Sequence, residues 1–153
     1  PPQRQLLIMN RPINDYGPFH LLVGDHEQLS VFSYAGEKLY EHQVEAGVHV
    51  LGNFGLDVPE DPVVARLLPL VQHFLTEHEA SLVELRDFLA RLLALHGEGG
   101  PCVHLERYGT RSASIVALRE DTVSFHYTEG PSCTHPWHML QANRQQLERA
   151  RVE

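Results

Sequence analysis

The spacing of hydrophobic residues changes twice along the chain. Short runs in which apolar and β-branched residues alternate with polar ones, closed by turn residues, are typical of antiparallel strands. Such runs occur at residues 19–24, 29–34, 48–52, 113–118 and 122–127. Between the third and fourth runs the spacing becomes that of two amphipathic helices, at residues 62–75 and 81–96. This order predicts an α+β fold in which a helical layer lies on antiparallel sheet.

Capping and breaking residues mark the ends of the predicted helices. Asp61 precedes a proline, which is the pattern of an N-cap with proline at the first helical position. Ser81 and Glu84 have the spacing of a capping box. Pro69 lies inside the first helical pattern and predicts a kink or a break. Gly97 is expected to end the second helix.

Three further segments have less regular patterns. Residues 38–42 pair less clearly than their neighbours, but with the first three strands they would complete an antiparallel meander of four strands. Residues 6–9 fit either one strand or the last turn of a helix. Residues 141–151 are polar and predict a helix that is frayed at its end.

Length and charge restrict the class of protein. A chain of 153 residues is the size of one domain, so residues 1–153 are predicted to form a single domain. The net charge of −8 opposes binding to nucleic acid, and no apolar run is long enough to insert into a membrane. Two cysteines make no secreted disulfide framework, which favours a cytoplasmic location. The chain begins with two prolines and no methionine, which we interpret as the start of a piece of a longer protein.

Cysteines and histidines occur close together in two places. Cys133 is followed by His135 and His138, and Cys102 by His104. Zinc takes such nitrogen and sulfur ligands, but structural zinc sites usually show regular pairs of ligands, and these spacings are irregular. The same spacing could place a histidine base beside a cysteine nucleophile, although in a chain with eleven histidines this proximity is common by chance. We therefore predict neither a metal site nor a cofactor.

Two short polar stretches, residues 51–57 and 108–112, each place one strong hydrogen-bonding group beside a glycine and next to an apolar run. The first offers the amide of Asn53 and the second the guanidinium of Arg111. These groups suit the stabilisation of a carbonyl or carboxylate, and two solvated turns are the alternative interpretation.

Three ordered motifs resemble those of the NRDE family, also called the transport and Golgi organisation protein 2 family. Phe-His-Leu-Leu-Val-Gly-Asp at 19–25 is similar to its first strand. Gly-Val-His-Val-Leu-Gly-Asn at 47–53, with Leu-Asp-Val-Pro at 56–59, is similar to its second motif. Tyr-Gly-Thr-Arg-Ser-Ala-Ser-Ile-Val at 108–116 is similar to its third. The resemblance spans residues 16–128. The family's Pro-Trp-Pro-Lys segment is Pro59-Glu60-Asp61-Pro62 in this chain, and its opening cysteine and Asn-Arg-Asp-Glu motif have no counterpart here.

The resemblance implies an N-terminal nucleophile hydrolase-like fold, an antiparallel αββα sandwich present here without its N-terminal segment. It implies that Asn53 helps to hold the oxyanion of a tetrahedral intermediate and that Arg111 steadies the nucleophile and nearby carboxylates. Both side chains are then expected in one cleft, with Asp57 as a candidate partner of the guanidinium. The flanking residues are expected to bind substrate: Gly52, Phe54, Asp57, Tyr108 and Thr110.

The resemblance therefore implies a cysteine-dependent hydrolase of a small non-peptide amide, with the nucleophile outside this chain. The alternatives are a non-catalytic binding or trafficking module for a small hydrophobic or acyl ligand, and a bare structural fragment. Without its first strands the sandwich would expose apolar surface. We expect this surface to be covered by the missing N-terminal segment or by a second copy of the chain, which would be a homodimer.

Overall fold

The chain divides after Gly47 into two compact units. The computed structural model describes residues 12–143, so the segment 6–9 lies outside the described residues. The described residues form a mixed α+β structure with two helices and three small antiparallel sheets. This confirms the predicted α+β class and the antiparallel pairing. No helix among these residues is long and apolar enough to cross a membrane.

The first unit is a three-stranded antiparallel meander preceded by a short 3-10 helix, Ile13–Asp15. Its strands are β1 (Phe19–Gly24), β2 (Leu29–Tyr34) and β3 (Leu39–Val44). The central strand β2 contributes the buried side chains Val31, Phe32 and Tyr34. The alternation of apolar residues therefore located β1 and β2 correctly, and the less regular third strand is present at nearly the predicted position.

The predicted fourth strand of this meander is wrong. Residues 48–50 are not in a strand, and β4 (Leu51–Gly52) instead forms a small hairpin with β5 (Gly55–Leu56). The physical reason is a local competition for hydrogen bonds. The N–H of Val50 donates to the carboxylate of Asp57, and the carbonyl of Val50 accepts from the N–H of Asp57. These bonds close the segment on itself and use the groups that a sheet ladder would need.

Both predicted helices are present, as α1 (Pro62–Glu77) and α2 (Leu82–Leu93). The predicted end of the second helix at Gly97 is wrong, since α2 ends at Leu93 with Ala94 as its C-cap. The predicted capping box of α2 is confirmed, since the side chains of Ser81 and Glu84 each accept a hydrogen bond from the other residue's backbone N–H. The helix α1 is not broken at Pro69. Burial of Val64 and Leu67 on the same helix offsets the lost backbone hydrogen bond.

The third sheet contains β6 (Ala113–Leu118), β7 (Thr122–Thr128) and β8 (His138–Asn143) in that order. The strand β8 was not predicted, and the helix predicted for residues 141–151 is wrong for residues 141–143, which pair with β7. The remaining residues of that segment lie outside the described part of the chain. Residues 138–143 are recognised as a strand only through their pairing with β7.

Register places three apolar side chains side by side on one face of this sheet. Val116 is opposite Phe125, and Phe125 is opposite Leu140. Their exposed fractions are 50%, 36% and 60%. We call these three residues the exposed apolar row. Apolar side chains that are exposed together in this way are typical of a surface that binds another protein or a ligand.

Candidate functional site

The backbone around Asn53 is held by a buried carboxylate. Asp61 is only 1% exposed and is the N-cap of α1. Its side chain accepts hydrogen bonds from the N–H of Phe54 at 3.0 Å and from the N–H of Val63 at 2.8 Å. Gly52 packs so closely on this carboxylate that an added Cβ would lie 2.3 Å from one of its oxygens. Gly52 therefore has a structural reason to be glycine.

The charge of Asp61 is stabilised by these backbone groups. Burial alone would raise the pKa of the carboxyl, but the N–H groups of Phe54, Val63, Val64 and Asn53 outweigh that effect and hold the pKa below its ordinary value. Asp61 is therefore an anion at neutral pH that links the β4–β5 hairpin to the start of α1. Sequence reasoning found its capping role and missed its contact with the hairpin.

Residues next to the hairpin have defined partners as well. Asp57 has a positive φ of 54° and accepts a hydrogen bond from the imidazole of His49 at 2.6 Å. Asn53 and Phe54 are exposed, Phe54 to 65%. The hairpin thus presents an amide and an aromatic ring to solvent from a fixed backbone.

A second fixed segment carries Arg111. The hydroxyl of Thr110 donates to the carbonyl of Pro101 at 2.9 Å and accepts from the N–H of Val103 at 3.0 Å. The backbone of Thr110 bonds to Val103 too, and His104 forms an isolated bridge with Gly109. These contacts place the residues before β6 against the segment 101–104.

Arg111, Thr110 and Tyr108 line one open depression, together with His104 and Pro131. Arg111 is exposed. Only a buried guanidinium would need a neighbouring carboxylate to offset the cost of its burial. The structure therefore brings the predicted site residues Tyr108, Thr110 and Arg111 together at one depression. It groups the predicted residues Gly52, Asn53 and Phe54 around Asp61. A single cleft that contains both Asn53 and Arg111 stays a prediction.

The structure assembles a group of four residues that the sequence only partly indicated: His96, Cys102, His104 and Cys133, which we call the Cys/His cluster. One ligand atom from each lies within 4.8 Å of the other three. The Nε2 atom of His104 lies 3.5 Å from the Sγ of Cys102 and 3.2 Å from the Sγ of Cys133, and the two sulfurs are 3.5 Å apart. His135 and His138 are not members of the cluster.

The same geometry opposes a nucleophilic role for Cys133. Desolvation, and then the hydrogen bond and charge of the neighbouring Cys102 thiol, raise the pKa of Cys133 above its ordinary value. A nucleophilic cysteine needs the opposite shift.

An apolar cavity of about 330 Å³ lies between α2 and the third sheet. Leucines of α2 and Ile115 line it, and Arg86, Arg119 and the imidazole of His126 add polar groups. Both ring nitrogens of His126 are buried and have no hydrogen-bond partner among the described residues. We call this space the α2 cavity. No local pattern predicts this cavity, because residues far apart in the chain form its walls.

No family model, curated protein or solved structure matches this chain.

Proposed function

We propose that this chain is the larger part of a cysteine-dependent hydrolase of small non-peptide amides, of the N-terminal nucleophile type suggested by its likeness to the NRDE family. The nucleophile is a cysteine outside this chain. The αββα sandwich of that superfamily is part of the proposal, and the antiparallel sheets and two helices are compatible with it.

The observation that carries the proposal is the fixed backbone under Asn53. A group that stabilises a developing oxyanion works best when it is oriented before the reaction begins. The buried carboxylate of Asp61 orients the hairpin through backbone N–H groups, while the Asn53 side chain itself is exposed. An amide held in this way can donate to a carbonyl oxygen that a ligand brings.

Arg111 has the same kind of support. Thr110 fixes the backbone through the contacts to Pro101 and Val103, and the guanidinium next to it is exposed in a depression. In the proposed reaction Arg111 orients a carboxylate or the attacking thiolate, and Tyr108 and Phe54 supply apolar contacts to the acyl group.

The proposal is tested on the protein purified from its natural source. Intact mass spectrometry after iodoacetamide treatment should detect a reactive cysteine at the mature N-terminus, in addition to Cys102 and Cys133. A panel of short-chain N-acyl aminocoumarins should then be hydrolysed, and iodoacetamide should abolish the activity. Absence of such a cysteine, or activity that survives alkylation, would contradict the hydrolase proposal.

A second candidate function, binding of a small acyl ligand, is favoured by the α2 cavity. A buried imidazole without a partner has a free-energy cost of about 1–3 kcal/mol, which a bound carboxylate or carbonyl would remove. The apolar wall suits a short hydrocarbon chain, and Arg119 favours an anionic head group. Arg86 also lines the cavity, but its guanidinium is paired with Asp87 at 2.6 Å.

Titration with octanoate, followed by NMR amide shifts, tests this second function. Shifts should be confined to α2 and the three strands of the third sheet, β6, β7 and β8. His126→Leu should weaken binding about tenfold, the effect of one lost hydrogen bond. His135→Leu, at a histidine outside the cavity, is the matched control. Shifts spread over the whole surface, or equal affinities of the two variants, would exclude the α2 cavity as the binding site.

A further inference from the structure

We propose that the Cys/His cluster is a structural zinc site, with His96, Cys102, His104 and Cys133 as its four ligands. Two sulfur and two nitrogen ligands are a combination that tetrahedral zinc sites use. The proposal concerns a site separate from Asn53 and is independent of the proposed hydrolase activity.

The distances between ligand atoms fit a tetrahedron around zinc. With Zn–S bonds of about 2.3 Å and Zn–N bonds of about 2.0–2.1 Å, the S···S edge is about 3.8 Å and each S···N edge about 3.5 Å. The observed S···S distance is 3.5 Å, and the two S···N distances to His104 are 3.5 and 3.2 Å. The ligand atom of His96 completes the group within 4.8 Å of the other three. The three edges among Cys102, His104 and Cys133 therefore need shifts of only a few tenths of an ångström to accept the ion. The edges to His96 must shorten by up to about 1.5 Å, so this side chain moves in when the ion binds.

The hydrogen bond of His96 defines its tautomer. Its Nδ1 lies 3.0 Å from the carbonyl oxygen of Cys102. A carbonyl can only accept, so Nδ1 carries the proton and Nε2 has the lone pair that a metal needs. Histidine ligands of zinc commonly donate their other ring N–H to a backbone carbonyl in this way, which fixes the orientation of the ring.

Backbone contacts bring the three ligand segments together without the ion. The loop 96–100 turns through Gly97 and Gly99, both with positive φ, and returns so that Cys102 N–H donates to the carbonyl of Leu95. Arg66 of α1 donates to the carbonyls of His96 and Glu98, each at 2.8 Å.

The segment of Cys133 is anchored at the end of α2. The hydroxyl of the buried Ser132 donates to the carbonyl of Leu93 at 2.7 Å. Because Leu93 is three residues before His96, this bond holds Cys133 close to the first ligand. A site that is assembled by contacts of its own loses less conformational entropy when it binds the ion.

Four protein ligands leave no open position, so the role of the ion is structural. It would join the end of α2, the segment 102–104 and the turn at Cys133. The segment 102–104 bonds to Thr110, so zinc would also stabilise the depression that contains Arg111.

The alternative chemistry for two neighbouring thiols is a disulfide. At 3.5 Å the sulfurs of Cys102 and Cys133 are not bonded, since a disulfide bond is about 2.0 Å long. A disulfide would use both thiols and leave the histidines without a function. Oxidation is therefore an outcome that the experiment must detect.

The test is the metal content of the chain, expressed with zinc and purified under a phosphine reductant. Elemental analysis should give about one zinc per chain, and cobalt added to the chelated protein should produce thiolate-to-cobalt absorption. Less than about one tenth of an equivalent of zinc, without cobalt absorption, would overturn the proposal. Thiol reactivity is then measured without the reductant, before and after a chelator is added. Two thiols that react only after chelation support the proposal, whereas a disulfide between Cys102 and Cys133 under the same conditions overturns it.

Variants then assign the ligands. Cys133→Ser and His104→Ala should each weaken zinc binding by more than about 100-fold, beyond the 10–100-fold effect of residues that only orient a ligand. His135→Ala and His138→Ala, at nearby histidines outside the cluster, should keep about one zinc per chain. Circular dichroism checks that the variants fold, and the cobalt titration of the unaltered chain decides the question if they do not. Full zinc content in Cys133→Ser or in His104→Ala would remove that residue from the site and contradict the proposal.

Discussion

Replacement of Asp61 tests whether one buried carboxylate fixes the segment that carries Asn53. In Asp61→Ala the N-cap of α1 is lost, which costs about 1 kcal/mol. The N–H of Phe54 loses a hydrogen bond to a charged group, which contributes about 1.5–3 kcal/mol. Together these changes should lower the free energy of unfolding by about 3 kcal/mol, and the Tm by about 6–12 °C for a chain of this size.

Gly52 provides a more specific test of the same contact. An added Cβ at Gly52 would lie 2.3 Å from an oxygen of Asp61, so Gly52→Ala should be destabilising by about 1–3 kcal/mol. In the Asp61→Ala background the clashing oxygen is absent, and the same change should cost much less. The free energies of unfolding are measured with urea and far-ultraviolet circular dichroism, and Glu60→Ala, at an exposed neighbour, is the control. Equal costs of Gly52→Ala in both backgrounds would refute the contact.

The charge of Asp61 predicts a pH dependence with a defined sign. Backbone N–H groups outweigh burial and hold its pKa below the ordinary value of 3.8. Its contribution to stability is therefore present above about pH 4 and is lost as the pH falls through the lowered pKa of the folded state. Asp61→Asn keeps the shape without the charge, so its stability should fall less steeply below pH 4. If the free energy of unfolding of Asp61→Asn falls with pH as steeply as that of the unaltered chain, Asp61 does not have a lowered pKa.

Three further predictions concern other parts of the chain. Ser81→Ala removes the capping box of α2 and should lower the free energy of unfolding, measured with urea, by about 1 kcal/mol. An unchanged free energy would show that the helix does not need its cap. Thr110→Val removes both hydrogen bonds of the hydroxyl and should increase hydrogen exchange at the N–H of Val103, whereas unchanged exchange would show that Thr110 does not hold this segment. The exposed apolar row predicts that this chain on its own sediments as a dimer at micromolar concentration. A monomer of 17.3 kDa that unfolds cooperatively would show that the row needs no partner.

Much of the fold could be predicted because it depends on local patterns. The alternation of apolar and polar residues predicted β1, β2, β6 and β7, and capping residues predicted the start of each helix. The failures have long-range or competing causes. Residues 48–50 look like a strand, but Asp57 takes the backbone groups that pairing would need. The strand β8 is defined by its partner β7, which no local pattern reveals.

The candidate sites differ in the same way. Cys102, His104 and Cys133 were recognised as residue types that bind metals, but the irregular spacing argued against a site. His96 was missed because a glycine-rich loop separates it from Cys102 and turns back on itself. A histidine followed by such a loop and a Cys-x-His pair is the signal that could have found it. The α2 cavity had no signal at all, since its walls come from α2 and all three strands of the third sheet.

The proposed hydrolase activity requires that Asn53 and Arg111 serve one reaction. The kcat of Asn53→Ala, Arg111→Ala and the double variant, measured in the protein from its natural source, tests this requirement, with Arg91→Ala, at an exposed residue of α2 outside the depression, as the control. Loss of an oxyanion donor lowers kcat by about 10²–10³-fold, so Asn53→Ala should show a loss of that size. The double variant should lose much less than the product of the two single effects, because residues that act as a unit are not additive. Full activity in both single variants, or strictly multiplicative losses, would contradict a shared catalytic site.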